Sequence, residues 1–141
     1  MTTTFFVLGL AAFAVAVGLR EVDQLSRSTR VGFGLLVIGA LFVCLAGVFK
    51  EFTLRAAAGA VGLPSVVMAA LLLSWSFRKT AGWQQMCPAM LLIALGMLTA
   101  LLSSLANVWL PGLQQRAFLF LFLLWLSIVV HRLVRVTAGA I

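Results

Sequence analysis

The sequence predicts an all-α fold, a polytopic bundle of five transmembrane helices with almost nothing outside the bilayer. Three observations carry that expectation. Apolar residues make up 64% of the chain and charged residues only 9%, too few polar groups to cover a water-soluble domain. The apolar residues form long runs instead of stripes of period 3.6 or alternations of period 2, so each helix is apolar all round. Each run also approaches the roughly 20 residues needed to cross a hydrocarbon core about 30 Å thick.

The first run, residues 2–19, spans about 27 Å as a helix. No positive charge precedes it and no small-residue cleavage site follows it, which favours a mature helix over a signal peptide. The second, third and fourth runs cover residues 31–49, 56–77 and 88–106, and Pro88 sits in the first turn, where its missing donor costs nothing. The fifth helix is expected over 116–134. Its strictly apolar part, Ala117 to Val130, covers only about 21 Å, so Arg116 and the His131-Arg132 pair must snorkel to opposite headgroup layers. The connectors are short and Pro111-Gly112 marks a turn, leaving a single transmembrane domain over 1–141. Trp75, Trp83 and Trp109 lie at run ends, where an interfacial aromatic belt belongs.

The net charge of +7 does not point to nucleic acid, because Lys and Arg stand singly or in pairs between apolar runs. They report topology. With five spans, Arg20, Arg27, Arg30, Arg78, Lys79, Arg132 and Arg135 share one side, and Lys50, Arg55 and Arg116 the other. The richer side is cytoplasmic, so the N-terminus is expected outside and the C-terminus inside. The positive surplus is also expected to attract anionic membrane lipid.

Helices in lipid associate through close backbone approach, and small residues recur at spacing four. Ala14 and Gly18 mark the first helix, Ala58 and Gly62 the third, and Gly96, Ala100 and Ser104 the fourth, as expected packing faces. Such spacings also arise by chance in a chain rich in Ala and Gly. Phe118, Phe122 and Trp125 form a bulky face of the fifth helix, lipid-facing or core. Pro64 removes the hydrogen bond to the Ala60 carbonyl, and with Gly59 and Gly62 nearby it is a possible hinge in the third helix.

Chemistry is sparse. The only acids, Glu21, Asp23 and Glu51, lie in connectors, so no intramembrane carboxylate can carry a proton or coupling cation, and no acid pair can hold a catalytic metal. The single histidine, His131, excludes a bis-His haem within one chain; His131 with a Met on the same side, such as Met86 or Met90, is the remaining haem pairing. Cys44 and Cys87 fall too far apart along their helices for a disulfide and form no C-x-x-C pair. Ser65, Ser74, Ser103, Ser104 and Ser127 lack a G-x-S-x-G setting. No catalytic residue, cofactor ligand or metal ligand is therefore expected, and the chain reads as noncatalytic.

Short motifs carry a family resemblance. Arg30-Val31-Gly32 opens a helix and Ala46-Gly47-Val48-Phe49 closes it; Gly112-Leu113-Gln114-Gln115-Arg116 precedes Trp125 and a final Arg132-Leu133. In this order the chain resembles the bacterial integral membrane family catalogued as domain of unknown function 998. The resemblance implies a six-helix protein without an assigned activity, in the bacterial inner membrane, of which this chain begins at the second helix. Lys50-Glu51 stands where that family commonly has Pro and Asp. A chain without the family's first helix is expected to carry a groove one helix wide, lined by the small residues of its first and fourth helices.

Three functions are compatible. The first is a helix-packing subunit of a membrane complex or homo-oligomer; the second is a carrier or binder of a lipid or small hydrophobic molecule, using the Pro64 region as a cleft. The third and most remote is a haem or redox membrane protein. For topology, a reporter fused after Ile141 is expected in the cytoplasm and one before Met1 outside. An external C-terminal reporter means that the fifth segment does not cross.

Overall fold

The computed structural model describes residues 2–20, 27–106 and 112–139. Five helices follow one another: α1 (Thr2–Arg20), α2 (Arg27–Val48), α3 (Phe52–Ser76), α4 (Cys87–Leu105) and α5 (Leu113–Ala138), with a 3₁₀ turn over Phe77–Lys79. Trp109 and the acids Glu21 and Asp23 lie outside the described residues.

The helices match the apolar runs in number and order, but α2, α3 and α5 begin three or four residues earlier and α5 ends four later, because the run marks the lipid-crossing part while backbone hydrogen bonding continues into the interface. Thus α2 takes in Arg27 to Arg30, α3 starts at Phe52 and α5 reaches Ala138. Four helical stretches are long and apolar enough to cross a membrane: Arg27–Val48, Phe52–Lys79, Cys87–Leu105 and Leu113–Gly139. The apolar part of α1, Thr3–Leu19, is shorter. It is nevertheless built into the bundle, since Phe5, Leu8, Ala12, Val15, Ala16 and Leu19 are buried at helical spacing while Val7, Leu10 and Val17 face outward.

Short connectors make sequential helices antiparallel neighbours. The α2–α3 contact is the most extensive, α1–α2 next, then α4–α5 and α3–α4, and α5 returns against α1 through a thinner seam. Starts of α1, α3 and α5 gather at one end of the bundle, here the N-terminal end, together with the ends of α2 and α4.

The extensive α2–α3 contact rests on two glycines. A Cβ at Gly39 would lie 2.6 Å from Val66 Cγ2 and 3.2 Å from the Gly62 carbonyl oxygen, and one at Gly62 would lie 2.9 Å from Phe42 Cβ. No methyl fits between backbones this close. The α1–α2 contact has the same character at Gly9, where a Cβ would overlap Cys44 Sγ and stand 2.8 Å from the Ala40 carbonyl oxygen. Cys44 is half-buried there, its thiol 3.8 Å from the Phe6 carbonyl oxygen that accepts from it, and both cysteines are free.

Two side-chain placements differ from expectation. Trp83 is buried, not interfacial: its ring stacks on Phe77 at 4.3 Å between centroids, because the loop after α3 folds back under the bundle. Trp75 is exposed as expected, with the Arg78 guanidinium 4.6 Å above its ring. The Phe118, Phe122 and Trp125 face belongs to the core.

The glycine contact yields a prediction. Gly39→Ala must push Val66, a stiff β-branched residue, and is expected to lower stability in mild detergent by about 1–3 kcal/mol. Gly34→Ala, whose Cβ would meet nothing within 4 Å, is expected to leave the thermal midpoint unchanged or slightly raised. Equal midpoints for the two variants would show that α2 and α3 are not held by this contact.

Candidate functional site

A cavity of about 390 Å³ opens at the N-terminal end. Four helices wall it: α1 through Phe5, α3 through Leu63, α4 through Ala100, Leu101 and Ser104, and the first two turns of α5 through residues including Gln114, Gln115, Phe118 and Leu119. Two smaller hollows adjoin it. One of about 100 Å³ is bordered by Arg55 and Gly59, the other, of about 70 Å³, by Thr4 and Arg116. Phe5 and Gln115 are common to all three, so they form one branched recess.

The chain places polar groups only at the mouth. Gln114 Nε2 donates to the Ser103 carbonyl oxygen at 3.3 Å, tying the start of α5 to the end of α4. The Arg55 guanidinium sits 5.6 Å from the centroid of the Phe5 ring, bridging α3 and α1. Deeper in, the same α5 face continues as Phe118 and Phe122, with ring centroids 6.5 Å apart, and then as fully buried Trp125. Its indole Nε1–H donates to Ser74 Oγ on α3 at 3.1 Å, a buried polar link across the bundle.

The small residues singled out from sequence fall into separate environments. Ala58 and Gly62 are buried, with Gly62 against Phe42 and Val43 of α2. Gly96 is half-buried beside Leu121, and Ala100 and Ser104 line the cavity. Ala14 points outward, and a Cβ on Gly18 would meet only Leu133 Cδ1, at 3.4 Å. The expected groove between the small faces of α1 and α4 is therefore corrected. Its α4 side lines a cavity, but the α1 side is Phe5, because α1 turns its small residues elsewhere. Pro64 is exposed, α3 stays helical through it, and its neighbour Leu63 is the residue that reaches the cavity.

Sequence reasoning used Arg55 and Arg116 for topology and Gln114-Gln115 for the family resemblance, but placed none of these, nor Phe5, at a site. Two amides and two guanidinium groups just inside otherwise apolar helices were the available signal. Ser65, Ser103 and Ser127 each donate to a carbonyl one turn back in their own helix, so they need no other partner. His131 is exposed, and among the described residues no three His, Cys, Asp or Glu side chains converge.

At the opposite end, Arg132 is half-buried near Gly82, and its Nε and the Ser76 hydroxyl have no hydrogen-bond partner among the described residues. A shallow depression of about 400 Å³ lies there beside Arg78, Gln84 and Pro88.

Apolar helices of membrane-crossing length, outward-facing aliphatic side chains and one apolar recess with a polar mouth define a polytopic membrane helical protein. The chain belongs to the family described as Protein of unknown function (DUF998), whose sequence model matches residues 1–132. No curated protein and no solved structure matches it.

The buried polar link is testable by a double-mutant cycle. Ser74→Ala and Trp125→Phe are each expected to destabilise the bundle by about 1–3 kcal/mol, since each orphans a buried polar group or empties core volume. The double variant should be less destabilised than the sum, by about 0.6–1.7 kcal/mol, the range for interhelical hydrogen bonds in membranes. Strict additivity in chemical unfolding would mean that the bond adds nothing.

Proposed function

We propose that this chain is a noncatalytic protein of the bacterial inner membrane that binds a lipid or small hydrophobic molecule at its N-terminal end. The observation that carries the reading is the 390 Å³ recess, apolar within and polar at its mouth. That volume falls within the range of small-molecule sites, and four helices converge to form it, as binding clefts in bundles do. An enclosed void costs roughly 24 cal/mol per Å³ in soluble cores, so a hollow of this size left empty would be a large penalty. Being open, it fills, and its apolar wall favours hydrocarbon over water. The absence of any acid within the spans argues against ion-coupled transport, and the lone His131 against a redox site.

A second reading, a helix-packing subunit or homo-oligomer, is favoured by a depression of about 370 Å³ along α4 and α5, bordered by Gly96, Thr99, Ala100 and Ser103. Small residues on an outward face are where another helix can dock.

One measurement addresses both. Native mass spectra of gently solubilised protein are expected to show a stoichiometric bound hydrophobe. Leu101→Trp, which fills the recess, should remove it, whereas Leu92→Trp, on an exposed position of the same helix, should not. A lipid-free dimer would favour the packing reading, and a ligand retained in Leu101→Trp would place binding outside the recess.

A further inference from the structure

The mouth of the recess has a charge that its hydrophobic interior does not need. Arg55 and Arg116 border the two side hollows, on either side of Phe5 and Gln115. Among the described residues neither guanidinium is ion-paired; Arg55 rests on the Phe5 ring and Arg116 is exposed. Glu51, exposed at the N-cap of α3, is the only carboxylate among the described residues, and Lys50 stands beside it. The local balance is positive.

Backbone electrostatics add to it. Arg55 and Arg116 each lie in the first turn of a helix, and neither α3 nor α5 has a side chain capping its N-terminal N–H groups. Two helix starts therefore present uncapped donors and the positive ends of their dipoles to the same mouth. Guanidinium groups suit phosphate oxygens in particular, because their planar fork pairs with two oxygens at once.

Resting on the reading of the recess as a binding site, we propose that its occupant is an anionic lipid, one acyl chain in the apolar recess and the phosphate headgroup between Arg55 and Arg116. The geometry suits the division. Leu63, Leu101, Phe118 and Leu119 face the chain, and the cationic and amide groups stand at the end where lipid headgroups lie. A neutral apolar guest would leave both guanidinium groups without a counterion.

The test uses purified full-length protein, delipidated in mild detergent and titrated with phosphatidylglycerol or phosphatidylcholine of identical chains, retained lipid being counted by native mass spectrometry. Phosphatidylglycerol should bind about tenfold or more tighter: both lipids offer a phosphate to the guanidinium groups, but the choline cation of phosphatidylcholine cancels its charge and is repelled by the two arginines. The preference should vanish in the Arg55→Gln, Arg116→Gln double variant and largely persist with Lys at both positions, while Leu101→Trp should release both lipids. Equal affinity for the two lipids, both released by Leu101→Trp, would overturn the anionic assignment and leave the recess a binding site. A preference that survives Arg55→Gln, Arg116→Gln would also overturn it, by placing the headgroup at the Arg and Lys residues of the opposite end. Retention of neither lipid by the folded wild type would overturn the assignment and the recess reading together.

Discussion

Inside a membrane a helix gains no hydrophobic free energy by exchanging lipid for another helix, so association depends on how closely backbones can approach. In this chain that approach is set at Gly39 and Gly62, where α2 and α3 leave no room for a methyl group. The contact is the most extensive in the bundle, and α1 extends it by docking on α2 through Gly9. These three helices form a tightly packed half against which α4 and α5 are placed.

The other half is built differently. The α4–α5 and α3–α4 contacts are less extensive, and large side chains such as Met90, Met97, Phe118, Phe122 and Trp125 fill the space between them. Large side chains hold backbones further apart and cannot close every gap at the tapering end of a bundle. The Trp125–Ser74 hydrogen bond ties the middle of α5 to the C-terminal end of α3, where an unpaired indole N–H would be costly. Beyond Phe118, towards the N-terminal end, no comparable tie between α5 and α3 exists among the described residues, and the recess opens there. It is the complement of the glycine contact.

The number, order and approximate ends of the helices were legible because lipid imposes one strong constraint, an apolar run of sufficient length. Contacts between helices were much less so. Spacing-four pairs of small residues led to Gly62 but not to Gly39, whose neighbours at that spacing are Leu35 and Val43. A single glycine suffices when the partner helix supplies another opposite it, and that pairing is not written in either helix alone. The same ambiguity affected the aromatic face of α5, since in lipid a Phe stripe suits the core and the outside equally. Trp83 misled because a tryptophan at the end of a run belongs at the interface unless the following loop folds back. For the recess, the informative residues are polar ones, Gln114, Gln115, Arg55 and Arg116, which carry none of the spacing that marks acid–base, thiol or metal chemistry.

If the recess binds lipid as proposed, its selectivity would have to come from its mouth. A lipid chain that leaves the bilayer for an apolar cavity passes from one hydrocarbon environment to another, so the transfer term that dominates binding from water nearly cancels. Discrimination between one lipid and another then rests on the few groups that lipid cannot supply, fixed donors and fixed charge. Those groups are the guanidinium groups of Arg55 and Arg116 and the amide of Gln115. With the orientation that the Lys and Arg count predicts, they face the outer leaflet, away from the seven cationic residues expected on the cytoplasmic side. Anionic lipid attracted by diffuse charge would gather at that opposite side. Recognition at this mouth would instead depend on two placed cations and an apolar recess beneath them, which separates binding at a site from enrichment at a surface.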